Sequence, residues 1–182
     1  EHVLADSPVP LLVLRTDGQP AAQLKQLLVP LDNSTESSAA LDVARDIAVL
    51  TAARLHLVQV VEPQPGWVNQ PEISPIWEEE IRVGVQAHLD GVIAQLYAHG
   101  IVSTGEAAIG PIAETIGRLA RERGSDLIVM GTHGFTGPRR AMYGSIADEV
   151  VRSSGLPVLL IRQGTAVPVG VPQGEQGAEL DL

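Results

Sequence analysis

Four short, almost unbroken aliphatic runs constrain this chain more than anything else in it: residues 27–31, 55–61, 127–130 and 157–161. A strand covered on one face alternates apolar and polar residues; one covered on both faces does not. The runs therefore read as buried parallel strands, and parallel strands need long crossovers between them. The intervening segments supply helical crossovers. Asn33 is placed to cap the first, with Glu36 three residues on, and Ala40, Val43, Ala44, Ile47 and Ala48 share one face. Trp77, Ile81, Val85, His88, Leu89, Val92 and Leu96 form the stripe of a long second helix that Gly100 ends. A third opens at Gly110-Pro111, with Pro in the first helical position, buries Ile112, Ile116, Leu119 and Ala120, and stops at Gly124. The last runs from Gly144-Ser145 to before Gly155. Residues 102–109, where Thr104, Glu106 and Ala108 alternate, make a fifth strand. The expected fold is α/β, an open parallel sheet with helices on both faces.

Composition agrees. The 182 residues are 45% hydrophobic but only 3% aromatic, so the core must be built from Leu, Val, Ile and Ala. The net charge of −10 opposes binding to a phosphodiester backbone and argues against nucleic acid as a partner. The chain has no cysteine, which removes disulfides and thiolate chemistry and fits a reducing compartment such as the cytoplasm. No apolar run approaches the ~20 residues of a membrane span.

The chemistry-bearing feature follows the strand at 127–130. Gly131, Thr132, His133 and Gly134 leave it, and Gly144-Ser145 opens the helix that begins Ile146-Ala147. Glycines let a main chain approach an anion closely, and a helix N-terminus offers unpaired N–H groups. The bland alternative is a tight β–α connection. Asp32, just past the first strand, reaches the same end of the sheet, either as a ligand carboxylate or as part of the helix start. Residues 62–75 hold four prolines and a glycine and form a long loop flanked by Trp67 and Trp77, which read as packing anchors. Glu78, Glu79 and Glu80 suit a first helical turn. His2, His56, His88 and His99 have no ligand spacing.

An internal echo adds a further constraint. Pro10, Leu12 and Arg15 recur as Pro157, Leu159 and Arg162, each 147 residues on, within two aliphatic runs. Residues 1–15 thus read as the last strand of a preceding repeat, 16–24 as a linker, 25–163 as the domain, and 164–182, rich in Gly, Pro, Gln and acid, as a disordered tail. The alternative is an unrelated N-terminal strand added to the same sheet.

With these residues in place, the chain resembles the universal stress protein family, and specifically its ATP-binding branch, whose pattern Gly-x2-Gly-x9-Gly-Ser is matched by Gly131, Gly134, Gly144 and Ser145. The resemblance covers residues 25–163 and suggests the C-terminal domain of a tandem protein. It implies a five-stranded sheet of order 3-2-1-4-5, of the adenine nucleotide alpha hydrolase-like type, acting in stress response. An adenine nucleotide (ATP, AMP or ADP) would sit between the first and fourth strands, where ligands collect in open α/β sheets. Pro30, Val60 and Met130 would line the base. Asp32 would meet the ribose. Gly131, His133, Gly134, Gly144, Ser145, Ile146 and Ala147 would surround the ribose and phosphates, with Arg139 and Arg140 near enough to approach them. Mg2+ or Mn2+ could bridge the phosphates. No general base, nucleophile or arginine finger is evident, so the expectation is holding ATP with at most slow hydrolysis. The alternative is a non-nucleotide interaction module of the same fold. The resemblance also implies a homodimer, or a tandem pseudo-dimer, through the last strand from Pro157 to Ile161, unless residues 11–15 cover that edge.

Overall fold

The computed structural model describes residues 9–14, 23–63, 74–132 and 144–162. Their elements are β1 (Leu11–Val13), β2 (Gln26–Pro30), α1 (Thr35–Thr51), β3 (Arg54–Val61), α2 (Ser74–Ala98), β4 (Ser103–Ile109), α3 (Ile112–Glu122), β5 (Leu127–Gly131), α4 (Ser145–Ser153) and β6 (Val158–Ile161). They build one six-stranded sheet of order β1-β6-β5-β2-β3-β4. This corrects the expected five-stranded sheet of order 3-2-1-4-5. The sheet gains an outer strand, β1, which runs antiparallel to β6 with Leu12 opposite Leu159. The other five strands pair in parallel.

The sheet is covered on both faces, and the four inner strands β2, β3, β5 and β6 contribute to both. Odd-numbered residues of the central strands, such as Leu27, Val29, Leu55, Leu57 and Val129, pack with Ala40, Ala44 and Ala48 of α1 and Leu89 and Leu96 of α2. Even-numbered ones, such as Leu28, Val58, Ile128 and Met130, pack with Ile116 and Ala120 of α3 and Ala147 and Val150 of α4. Leu11 and Val13 of β1 lean on this second cluster. Alanines on the helix stripes let the helices lie close to strands that carry the larger side chains.

Local chemistry shifts some helix starts. Ser34, not Asn33, caps α1, its Oγ accepting from the Ser37 N–H at 3.0 Å, while Asn33 takes a left-handed φ of 63° one residue earlier. Pro111 is the N-cap residue of α3 rather than its first helical residue. Gly100, Gly124 and Gly155 all adopt positive φ after helices, where a side chain would be strained. Trp77 does not anchor a core: it is 51% exposed on α2. Trp67 lies outside the described residues, as does the expected tail.

A polar network crosses β3, β4 and the end of α3. His56 is buried, with Nδ1 2.8 Å from Thr104 Oγ1 and Nε2 2.8 Å from Glu106 Oε1. The carboxylate only accepts, so Nε2 carries the proton in that contact. Arg123 closes the network through Nε and a terminal nitrogen, at 3.0 and 2.7 Å from the two Glu106 oxygens. Partial burial pulls the Glu106 carboxyl upward, but the hydrogen bonds from Arg123 and His56, with their charges, outweigh it and hold the carboxyl below its ordinary value. A depressed carboxyl contributes stability that is complete above its unfolded pKa and is lost as pH falls through the folded one. Glu106→Gln is therefore expected to cost about 1–2 kcal/mol at pH 7. Denaturant titrations across pH should show that deficit shrink below about pH 4. A deficit independent of pH would mean that the charge is not what stabilises.

Candidate functional site

The chain moves outward from β2 to β3 and β4, and α3 then carries it back across β2 to β5 on the other side. The β2 and β5 ends therefore part at a switch point, where the crossovers leave in opposite directions. A cavity of about 200 Å³ opens there. Its apolar wall comes from Pro30, Val60 and Met130 at the strand ends, Ile112 and Ile116 of α3, and Ile146 and Ala147 of α4. Its polar rim is Asp32, Ser34 and Ser37 on one side and Thr132, Gly144 and Ser145 on the other.

The first rim is a chain of short-range hydrogen bonds. The Leu31 N–H donates to the Val58 carbonyl at 2.8 Å, which keeps the β2 end in the sheet. The next residue, Asp32, is exposed, and its Oδ1 accepts from the Ser34 N–H at 3.0 Å and the Ser34 hydroxyl at 2.5 Å. Ser34 and Ser37 are buried beneath it, and the Ser37 hydroxyl donates to the Ser34 carbonyl at 3.0 Å.

The opposite rim is the open start of α4. Gly144 caps it without a side-chain hydrogen bond. The first main-chain bond of the helix runs from the Asp148 N–H to the Gly144 carbonyl, so the N–H groups of Ser145, Ile146 and Ala147 precede the ladder. The positive end of the helix dipole lies at the same place. Gly144 is itself fixed by an N–H bond to the Thr132 carbonyl at 2.7 Å, and the Thr132 N–H donates to Ile161 on β6. The two ends of the β5–α4 connection are thus tied together at the cavity mouth.

Of the residues singled out in the sequence, Pro30, Asp32, Val60, Met130, Gly131, Gly144, Ser145, Ile146 and Ala147 all line this one cavity. His133 and Gly134, with Arg139 and Arg140, lie outside the described residues. Gly131 has a packing reason to be glycine: a Cβ there would meet the Glu36 Cβ at 2.8 Å and the Glu36 carbonyl carbon at 3.0 Å. Gly144, with φ −50° and ψ 140°, has a backbone open to any residue. Sequence reasoning missed Ser34, Ser37, Thr132, Ile112 and Ile116 as lining residues. Ser34 does carry a signal, since serine just before an apolar-periodic run is a preferred cap residue.

The cavity holds one carboxylate among the described residues, that of Asp32. No group of three or more His, Asp or Glu side chains among the described residues is arranged to hold a metal ion. No described helix is long and apolar enough to cross a membrane.

Fold and cavity together define an open, largely parallel α/β domain with a pocket at its switch point. The chain belongs to the universal stress protein family, whose model matches residues 23–162. Universal stress protein MJ0531 of Methanocaldococcus jannaschii is 32% identical over 142 residues, which cover 76% of this chain and 82% of that protein. The solved structure of MJ0577, a universal stress protein of the same archaeon, covers 78% of this chain and 98% of its own at a TM-score of 0.71 and 23% identity. A universal stress protein solved in complex with cAMP covers 78% of this chain and 98% of its own, at a TM-score of 0.56 and 24% identity. A universal stress protein from Archaeoglobus fulgidus covers more of this chain, 88%, but only 52% of its own length is matched, at a TM-score of 0.65 and 24% identity.

Proposed function

We propose that this chain holds an adenine nucleotide, ATP or its AMP and ADP relatives, in the switch-point cavity. The observation that carries the reading is the pairing of rims: a hydroxyl-held carboxylate faces an open helix N-terminus across an apolar wall. Pro30, Val60, Met130, Ile112 and Ile146 would enclose the base. Asp32 would accept from the ribose, as a carboxylate suits a hydroxyl donor. Gly144, Ser145, Ile146 and Ala147 would present main-chain N–H groups to the phosphates, joined by Gly131, His133 and Gly134 of the family pattern. Mg2+ or Mn2+, if bound, would take phosphate and water oxygens, since these hard cations prefer oxygen ligands. The cAMP complex of a family member supports an adenine ligand for this fold. All the roles assigned here are binding and orienting, which makes the domain a nucleotide-holding element of stress signalling more than a hydrolase, and the cytoplasm its natural setting.

Calorimetric titration with ATP tests this. Saturable one-to-one binding is expected, and no heat at millimolar ATP would sink the proposal in favour of a nucleotide-free interaction module. Ser145→Asp gives a sharper check. A carboxylate in the first turn suits the helix dipole but repels a phosphate, so ATP affinity should fall at least about tenfold. Melting temperature should hold or rise.

We also infer that residues 1–15 are the last strand of a preceding repeat, 16–24 a linker, 25–163 the domain and 164–182 a tail. The β1–β6 register supports this. Leu12 lies opposite Leu159, its own echo 147 residues on, while Leu11 faces Leu160 and Val13 faces Val158. That is the pairing two copies of one strand make across a two-fold axis. This chain covers only 52% of the A. fulgidus chain, which leaves length there for a second domain of this size.

A further inference from the structure

We infer that Ser34 is a positioning residue, which aims the second oxygen of Asp32 at a pair of adjacent hydroxyls on the ligand. The inference rests on the nucleotide reading above, with the ribose diol as the group recognised. Asp32 stands exposed on the rim, in a turn whose next residue is left-handed. An exposed carboxylate without a fixed partner samples several rotamers, and holding one of them costs side-chain entropy at the moment of binding.

Ser34 removes that freedom. Its N–H and its hydroxyl both converge on Asp32 Oδ1, at 3.0 and 2.5 Å. The direction of the hydroxyl is forced from below. Ser34 Oγ already accepts from the Ser37 N–H at 3.0 Å, so its one proton is left for Asp32. Ser37 is itself buried and locked, its hydroxyl spent on the Ser34 carbonyl. The chain of donors therefore runs one way, from the first turn of α1 to the carboxylate, and successive bonds of this kind polarise one another. Oδ1 is filled. Oδ2 has no partner among the described residues and is the carboxylate's remaining acceptor, with two lone-pair sites for two neighbouring hydroxyls.

Ser34 is also the cap of α1, so loss of stability alone would not distinguish the two roles. A pair of ligands does. ATP carries the 2′- and 3′-hydroxyls and 2′,3′-dideoxy-ATP lacks both. Affinities of the full chain for each are measured by calorimetry in wild type, Ser34→Ala, Ser34→Gly and Ser34→Thr. Glycine is nearly as good a cap as serine but has no hydroxyl, so Ser34→Gly isolates the positioning role. Wild type is expected to prefer ATP by about tenfold or more, as for a hydrogen bond to a charged group. Ser34→Ala and Ser34→Gly should lose most of that preference while keeping their affinity for the dideoxy compound. Ser34→Thr should restore it.

A variant that weakens both ligands equally, or leaves the ratio of wild type intact, overturns the inference and leaves Ser34 as a cap alone. A wild type that binds both ligands equally overturns it too, with the nucleotide reading still standing. A wild type that binds neither overturns that reading and the inference with it.

Discussion

Gly131→Ala should destabilise the domain by about 1–3 kcal/mol, although alanine is elsewhere the mildest of substitutions. A Cβ there would lie 2.8 Å from the Glu36 Cβ, 3.0 Å from its carbonyl carbon and 3.2 Å from its carbonyl oxygen. Two of those atoms are backbone, so no rotamer change relieves the clash. The first turn of α1 would have to move off the end of β5, and Asp32 and Ser34 lead directly into that turn. The expected melting temperature is lower by about 5–10 °C, and any affinity for ATP should fall with it because one rim of the cavity has moved. Gly84→Ala in α2 is the matched control. Beyond the backbone of its own helix, nothing lies within 4 Å of where a Cβ would stand, so the same change there should stabilise by up to about 1 kcal/mol. Equal melting temperatures for Gly131→Ala and wild type would mean that α1 approaches β5 less closely than this packing requires.

Gly131 illustrates where sequence reading stops. Its place at a strand end, in a family glycine pattern, pointed to a ligand; the structure adds a second reason for its missing side chain, Glu36, 95 residues earlier in the chain and brought there only by the sheet order. Four of the five parallel strands were legible because burial on both faces removes polar residues from them, and β4 through the alternation of Thr104, Glu106 and Ala108; local signals of these kinds need no tertiary information. β1 was legible only through its echo of β6, since three residues of an edge strand carry no period. The His56 network was invisible. Thr104 and Glu106 lie 48 and 50 residues from His56, and only the β3–β4 register puts them on one face beside it. Trp77 misled for the opposite reason. It fits the stripe of α2, but the buried residues of that helix, Leu89 and Leu96, lie in its second half, and the stripe extends beyond what they cover. At the candidate site, strand ends and a helix start could be placed from the sequence, whereas Ile112 and Ile116 read as ordinary core because a pocket wall and a core share one chemistry.

Removing residues 1–22 should turn the chain into a homodimer joined through β6. With β1 gone, β6 becomes an edge with unpaired main-chain groups, and Val158 and Leu160, both buried in the intact chain, lose the cover of Leu11 and Val13. An exposed aliphatic edge of this kind is a template for another strand. The register already present shows what would fit: a second β6 pairing antiparallel about Leu159 repeats the β1–β6 contacts, Leu for Leu at the centre and Val158 opposite Leu160 on either side. The other end of the sheet offers no equal competitor. On the side of β4 that faces away from β3, the Gln86 side chain of α2 donates to the Gly105 carbonyl at 3.3 Å and accepts from the Ala107 N–H at 3.1 Å, standing in for a neighbouring strand. Light scattering on the chain beginning at Gln23 should therefore give twice the monomer mass, where the full chain under the same conditions does not. The full chain carrying Leu11→Asp and Val13→Asp separates strand from length, since the charges disfavour docking against the apolar cluster without shortening the protein. It should dimerise as the truncated chain does. Identical oligomeric states for all three proteins would mean that β1 is not what decides the fate of the β6 edge, and would count against residues 1–15 being the strand of a preceding repeat.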